Sequence, residues 1–282
     1  MARGGEGSPA IRPRRAPYGR NLLRYLRNPR RTAAAAFGSL IFSAGTASAG
    51  PPFITDDPEP VDLGHWEVYL FSAGAWEDGN ASGLGPAVEV NYGAAKNLQL
   101  HVIAPLAYDA PTGGPTVIGP GDTEFGAKYR FISPGKDDWW PQVGIFPLLE
   151  VPTGSARRGL GAGEVQAFLP VWLQKDFGQW TTYGGAGYWI NPGPGNRNYW
   201  FTGWLLQRQV TKKLALGAEV FHTTPSMVGR KSLTGFNLGG QYDFTDHYHL
   251  LFSAGRGGLI DAVDASRMTD PFTYYLAFQW TF

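Results

Sequence analysis

Ser253 and His249 are the residue types of a hydrolytic nucleophile and its base. Four residues apart on one extended segment, they share a face, because strand side chains alternate with period two. The spacing is too long for a direct hydrogen bond, and no third group is placed to orient the base. Asp56, Asp57 and Glu59 form a second cluster, of the kind that binds a cation, in a proline-rich stretch where solvated acids are the commoner case. His247 and His249 flank Tyr248 at a predicted turn and read as interfacial polar groups. No phosphate loop, nucleotide fingerprint or metal-ligand spacing occurs, and cysteine is absent. These residues predict no catalytic group, no metal and no cofactor. An outer-membrane hydrolase is the weakest of the function classes considered.

The third set carries more information. Glu89, His101, Glu124, Lys128, Arg130, Glu150, Glu164, Glu219 and Asp243 each interrupt an otherwise apolar, alternating stretch. Charges at such positions are expected to line an aqueous lumen. Glu124, Glu150 and Glu164 fall near the same ends of their strands, and Arg157 and Arg158 lie in the loop joining the latter two. One reading is an acidic constriction partly bridged by this arginine pair, since charge rings set ion selectivity in pores. The other is that acids and bases pair across the lumen and hold strand register.

The elements that position these charges are strands. From 122 to 131, Phe125, Ala127, Tyr129 and Phe131 oppose Glu124, Lys128 and Arg130. Val88, Val90 and Tyr92 oppose Glu89 and Asn91, and Phe236, Leu238, Tyr242 and Phe244 oppose Asn237, Gln241 and Asp243. The stretches 180–190 and 199–210 carry aromatics on both faces and leave their orientation open. Pro105, Pro147 and Pro170 fall inside predicted strands, where each removes a ladder donor. Short turns are expected near 93–97, 134–138, 177–179, 211–213 and 245–247. Longer connections are expected near 77–83, 109–121, 152–163, 191–198, 225–232 and 258–270. Alternating short turns and long loops belong to transmembrane barrels. The fold class is therefore all-β, an antiparallel transmembrane β-barrel of about twelve strands, each about 9–12 residues. Trp66, Trp76, Trp139, Trp140, Trp180, Trp189, Trp200 and Trp280 fall near strand ends, where interfacial girdles form. In the last strand Phe278, Trp280 and Phe282 share one face, expected toward lipid, and Gln279 and Thr281 share the other. That alternation with a terminal Phe reads as a signal for the barrel assembly machinery.

Composition agrees. Charged residues are 17% against 43% hydrophobic, and net charge is +1, which gives no footprint for nucleic acid. The N-terminal stretch is arginine-rich, including Arg12, Arg14, Arg15, Arg30 and Arg31, and is followed by a short apolar run and Ala47-Ser48-Ala49. Basic, apolar and small-residue regions in that order predict a signal peptide cleaved after Ala49. The expected organisation is a leader at 1–49, then a segment at 50–63 serving as either a periplasmic lead-in or a small lumen plug. The barrel is expected over 64–282.

Three stretches carry a resemblance. They are Pro51-Pro52-Phe53-Ile54-Thr55-Asp56-Asp57-Pro58-Glu59-Pro60 with Gly64-His65-Trp66-Glu67, then Gly121 to Phe131, then Leu149-Glu150-Val151-Pro152-Thr153-Gly154. They resemble a family of bacterial outer-membrane proteins labelled as transporters of the phenol-degradation meta-pathway. The resemblance implies a barrel in the bacterial outer membrane, in contact with outer-membrane lipid, and no catalytic residues. The expected function is a passive channel for small solutes, with aromatic or hydrophobic compounds as candidates. The alternative is a structural or adhesive barrel without transport.

Overall fold

Strands form where the sequence alternates, and the ladder they build closes on itself through its first and last strands. The computed structural model describes residues 51–135, 138–257 and 270–282. The expected leader and cleavage site, and most of the expected connection at 258–270, lie outside the described residues. In chain order the strands are β1 (Trp66–Glu77), β2 (Asn80–Ala95), β3 (Leu98–Ala110), β4 (Val117–Pro120), β5 (Thr123–Ile132), β6 (Gln142–Ile145), β7 (Leu148–Val151), β8 (Gln166–Phe177), β9 (Trp180–Ile190), β10 (Tyr199–Thr211), β11 (Leu214–Thr223), β12 (Leu233–Asp243), β13 (Tyr248–Arg256) and β14 (Phe272–Thr281). Each pairs antiparallel with its neighbours, and β1 pairs with β14, from Glu67↔Thr281 to Trp76↔Phe272, closing the barrel.

Two staves are interrupted. β4 and β5 lie end to end along β3. β6 and β7 lie end to end between β5 and β8, with Pro147 in the gap. Counting each broken pair once gives a closed barrel of 12 staves, the number expected. Pro105 and Pro170 remain inside β3 and β8.

Two connectors differ from expectation. The expected long connection at 77–83 is the two-residue turn Asp78-Gly79, with φ of 51° and 80°. Positive φ at both positions fits the tight hairpin turn that Asp-Gly favours, so β1 and β2 grow into it. The expected loop at 109–121 shrinks because β4 pairs Val117 to Pro120 with β3. β2 reaches 16 residues, beyond the expected strand length.

The alternation sorts side chains by solvent. On β14, Phe278, Trp280 and Phe282 are exposed on the outer wall, while Ala277 and Gln279 are buried inside. β10 resolves the same way, with Trp200, Trp204 and Leu206 outward and Phe201, Leu205 and Gln207 inward. Val88, Phe125, Leu169, Val220 and Leu238 extend the exposed apolar wall around the circumference. In water, so large an apolar surface would aggregate. In lipid it is matched, and a closed ladder leaves no unpaired backbone facing hydrocarbon. Among the described residues no helix is long and apolar enough to cross a membrane; the strands do so.

Candidate functional site in the barrel lumen

The inner wall is polar toward the end where β1 starts and β14 stops, and aromatic toward the other. At the first end Gln279 Nε2 donates to Tyr69 Oη (2.7 Å), whose hydroxyl donates to Glu67 (2.8 Å). His249 Nδ1 lies 2.7 Å from Asp243 Oδ1, and Gln241 donates to the same oxygen. His249 is thus bound to an acid, and the Ser253 hydroxyl donates to the Pro52 carbonyl. The two residues that could have formed a nucleophile and base each hold a different partner.

Midway along the lumen three of the nine predicted charges meet. His101 bridges two acids, with Nε2 2.8 Å from Glu124 and Nδ1 3.5 Å from Glu89. Asn91 completes the group, 2.6 Å from His101 Nδ1 and donating to Glu89 at 2.8 Å. Across the lumen Glu219 is buried and accepts from Asn237 Nδ2 at 2.6 Å.

The remaining partners come from outside the barrel wall. Residues 51–63 run through the lumen. Glu219 accepts the backbone N–H groups of Ile54 (3.0 Å) and Thr55 (2.8 Å). Lys128 Nζ sits 2.9 Å from Asp56 and 3.6 Å from Asp57. Arg130 reaches Glu59 at 3.4 Å, and Gln174 donates to Glu59 at 3.0 Å. Val61 N–H donates to Gln99, and Gly64 N–H reaches the Gly93 carbonyl near the β2–β3 turn. Burial pushes the Asp57 carboxyl well above the ordinary carboxylate range against the pull of Lys128, and raises Glu59 against Arg130. These acids tolerate the lumen because cations of the wall face them.

Glycines make the seat. A Cβ at Gly203 would collide with the Thr55 hydroxyl, one at Gly217 would lie 3.2 Å from the Phe53 ring, and one at Gly144 would lie 2.9 Å from Pro58. Phe53 packs with buried Tyr183 and Leu205, and Ile54 with the aromatic group above. That group is Phe146, Phe168, Trp172, Trp189, Phe201 and Phe221. Phe168 stacks on Trp189 with centroids 4.8 Å apart and meets Phe201 edge-on at 6.2 Å. Leu160, fully buried, reaches the opposite wall from the loop after β7. Asp122 pins this loop through the Gly154 and Ala162 N–H groups.

The expected acidic constriction is not gathered into one ring. Glu124 and Glu150 are cross-strand partners, whereas Glu164 is exposed beyond the start of β8. Arg157 and Arg158 are exposed on a single 3-10 turn (Ala156–Arg158), and Arg158 donates to the Ile118 carbonyl at 2.9 Å. Of the expected interfacial tryptophans, Trp189 is instead inside the lumen, 5% exposed, because Phe168 stacks on it. Asp56, Asp57 and Glu59 pair with protein cations; among the described residues no metal-binding group of three occurs.

No protein-family model and no curated protein matches the chain. Solved structures do resemble it. An outer membrane channel from Pseudomonas putida F1 superposes with a TM-score of 0.60 and 17% identity, covering 80% of this chain and 98% of that one. The NanC porin gives a TM-score of 0.51 and 8% identity, covering 76% and 98%. At these identities the likeness is one of fold, a transmembrane barrel of the outer-membrane type.

Proposed function

We propose that this chain is a passive channel of the bacterial outer membrane for small apolar or aromatic solutes, with residues 51–63 acting as its plug. The observation that carries the reading is the aromatic half of the lumen. Phe168, Trp172, Trp189, Phe201 and Phe221 turn their rings inward, where a structural barrel needs only volume. Rings of this kind offer a solute stacking and edge-to-face contacts of about 0.5–1.5 kcal/mol per pair, weak enough to release it. The named neighbours are a channel and a porin, and the resemblance to the meta-pathway transporter family agrees with an aromatic solute. Ser253 and His249 are engaged elsewhere, which supports a non-enzyme. Outer-membrane lipid and the barrel assembly machinery are the partners this reading requires, the latter through Phe278, Trp280 and Phe282.

A second reading has one observation in its favour. The docked segment fills the middle of the lumen, as a closed structural or adhesive barrel would have it. Planar-bilayer recording separates the two. With the purified protein, phenol is expected to produce brief interruptions of single-channel current whose frequency rises with concentration, while glucose at equal concentration produces none. Equal effects of phenol and glucose, or no current under any condition, would remove the aromatic-channel reading.

A further inference from the structure

We propose that Lys128 and Arg130, with the ring of Phe146, form a receptor for small aromatic carboxylates, and that Asp56 and Asp57 of the plug occupy it in the resting protein. The proposal rests on the channel reading and names its solute class.

Three observations carry it. First, among the described residues every ion pair of Lys128 and Arg130 goes to the segment: Lys128 to Asp56 and Asp57, Arg130 to Glu59. The barrel wall supplies two cations and leaves their counter-ions to a piece of chain that crosses the lumen. What that piece presents to Lys128 is a carboxylate. Second, the site continues into an aromatic surface. Lys128 Nζ lies 4.9 Å from the centroid of the Phe146 ring, and Phe146 joins Phe168 and Trp172 in one cluster. A benzene ring bearing one carboxylate matches both parts, its charge at Lys128 and its ring on Phe146. An aliphatic acid meets only the first part and a neutral arene only the second. Third, the resident occupant fits incompletely. Asp57 Oδ2 is buried with no partner nearer than Lys128 Nζ at 3.6 Å, too long for a hydrogen bond. Among the described residues the indole N–H of Trp172, 1% exposed and paired across the ladder with Gly144 beside Pro58, is buried without a hydrogen-bond partner. A buried polar atom left unpaired raises the free energy of the docked state, so a solute that supplies a better carboxylate competes on favourable terms.

Binding of the solute carboxylate therefore releases the segment. No bond is made or broken; one ion pair replaces another.

The test uses the full chain, which contains no cysteine, with Thr55→Cys introduced in the plug itself, where docking against the wall buries it. Its maleimide labelling rate is followed in detergent with benzoate, cyclohexane carboxylate or benzyl alcohol added. Benzoate is expected to accelerate labelling at least fivefold, with the other two near baseline. Adding Lys128→Met is expected to give fast labelling that benzoate no longer changes. Equal responses to benzoate and benzyl alcohol, or no response to benzoate, would overturn the proposal. A second measurement serves if the cysteine variant does not form the heat-modifiable barrel. In bilayers of the unaltered protein, benzoate should raise open probability where benzyl alcohol does not, and equal effects would again overturn it. Phenol-dependent interruptions that persist without a benzoate effect reject this site and leave the channel; loss of all current rejects the channel itself.

Discussion

One carboxylate, Glu219, holds two backbone N–H groups of the plug and an asparagine amide at once. Hydrogen bonds to a charged acceptor contribute about 1.5–3 kcal/mol each when buried. Glu219→Gln keeps the shape, removes the charge and leaves one acceptor oxygen instead of two. The expected result is a segment that leaves the lumen at least tenfold more often, read as more frequent openings in single-channel records with unchanged barrel heat-modifiability. Unchanged opening frequency would show that Glu219 serves the wall alone. Glu219, Lys128 and Arg130 were legible as inward charges, because each falls opposite apolar residues in an alternating stretch. Their partners were not. Asp56, Asp57 and Glu59 lie in a proline-rich segment with no period, and periodicity is what reveals a face. The inward Trp189 and Phe201 were hidden for the opposite reason, since β9 and β10 carry aromatics on both faces.

At the level of elements, what the sequence reading saw best was the ladder and what it saw least was the space inside it. Strand number followed from counting turns, even though one expected loop proved to be Asp78-Gly79 and another became β4. The inward glycines carried no signal alone. Gly203 on β10 interrupts an aromatic strand, and its purpose appears only when Thr55 is seen against it. Gly203→Val puts a branched side chain where the Thr55 hydroxyl sits and leaves every charge in place. Overpacking of this kind costs about 1–3 kcal/mol, and the plug yields before the closed ladder does. The expected outcome is a folded barrel whose segment 51–63 is cut by added protease at least several-fold faster than in the unaltered chain. Equal cleavage rates would place the seat elsewhere.

For the whole molecule, the gradient from a polar end to an aromatic end defines a path, and the segment across its middle defines a resting state. Both arise from one closed sheet whose outward face matches lipid and whose inward face was free to diversify. The claim that joins them is that the lumen conducts when the segment is gone. Planar-bilayer conductance of the purified barrel with and without residues 51–63 tests it most directly. The intact chain is expected to show small, interrupted currents and the shortened chain a larger, steady conductance. A shortened chain that folds to a heat-modifiable barrel and still passes no current would contradict the account.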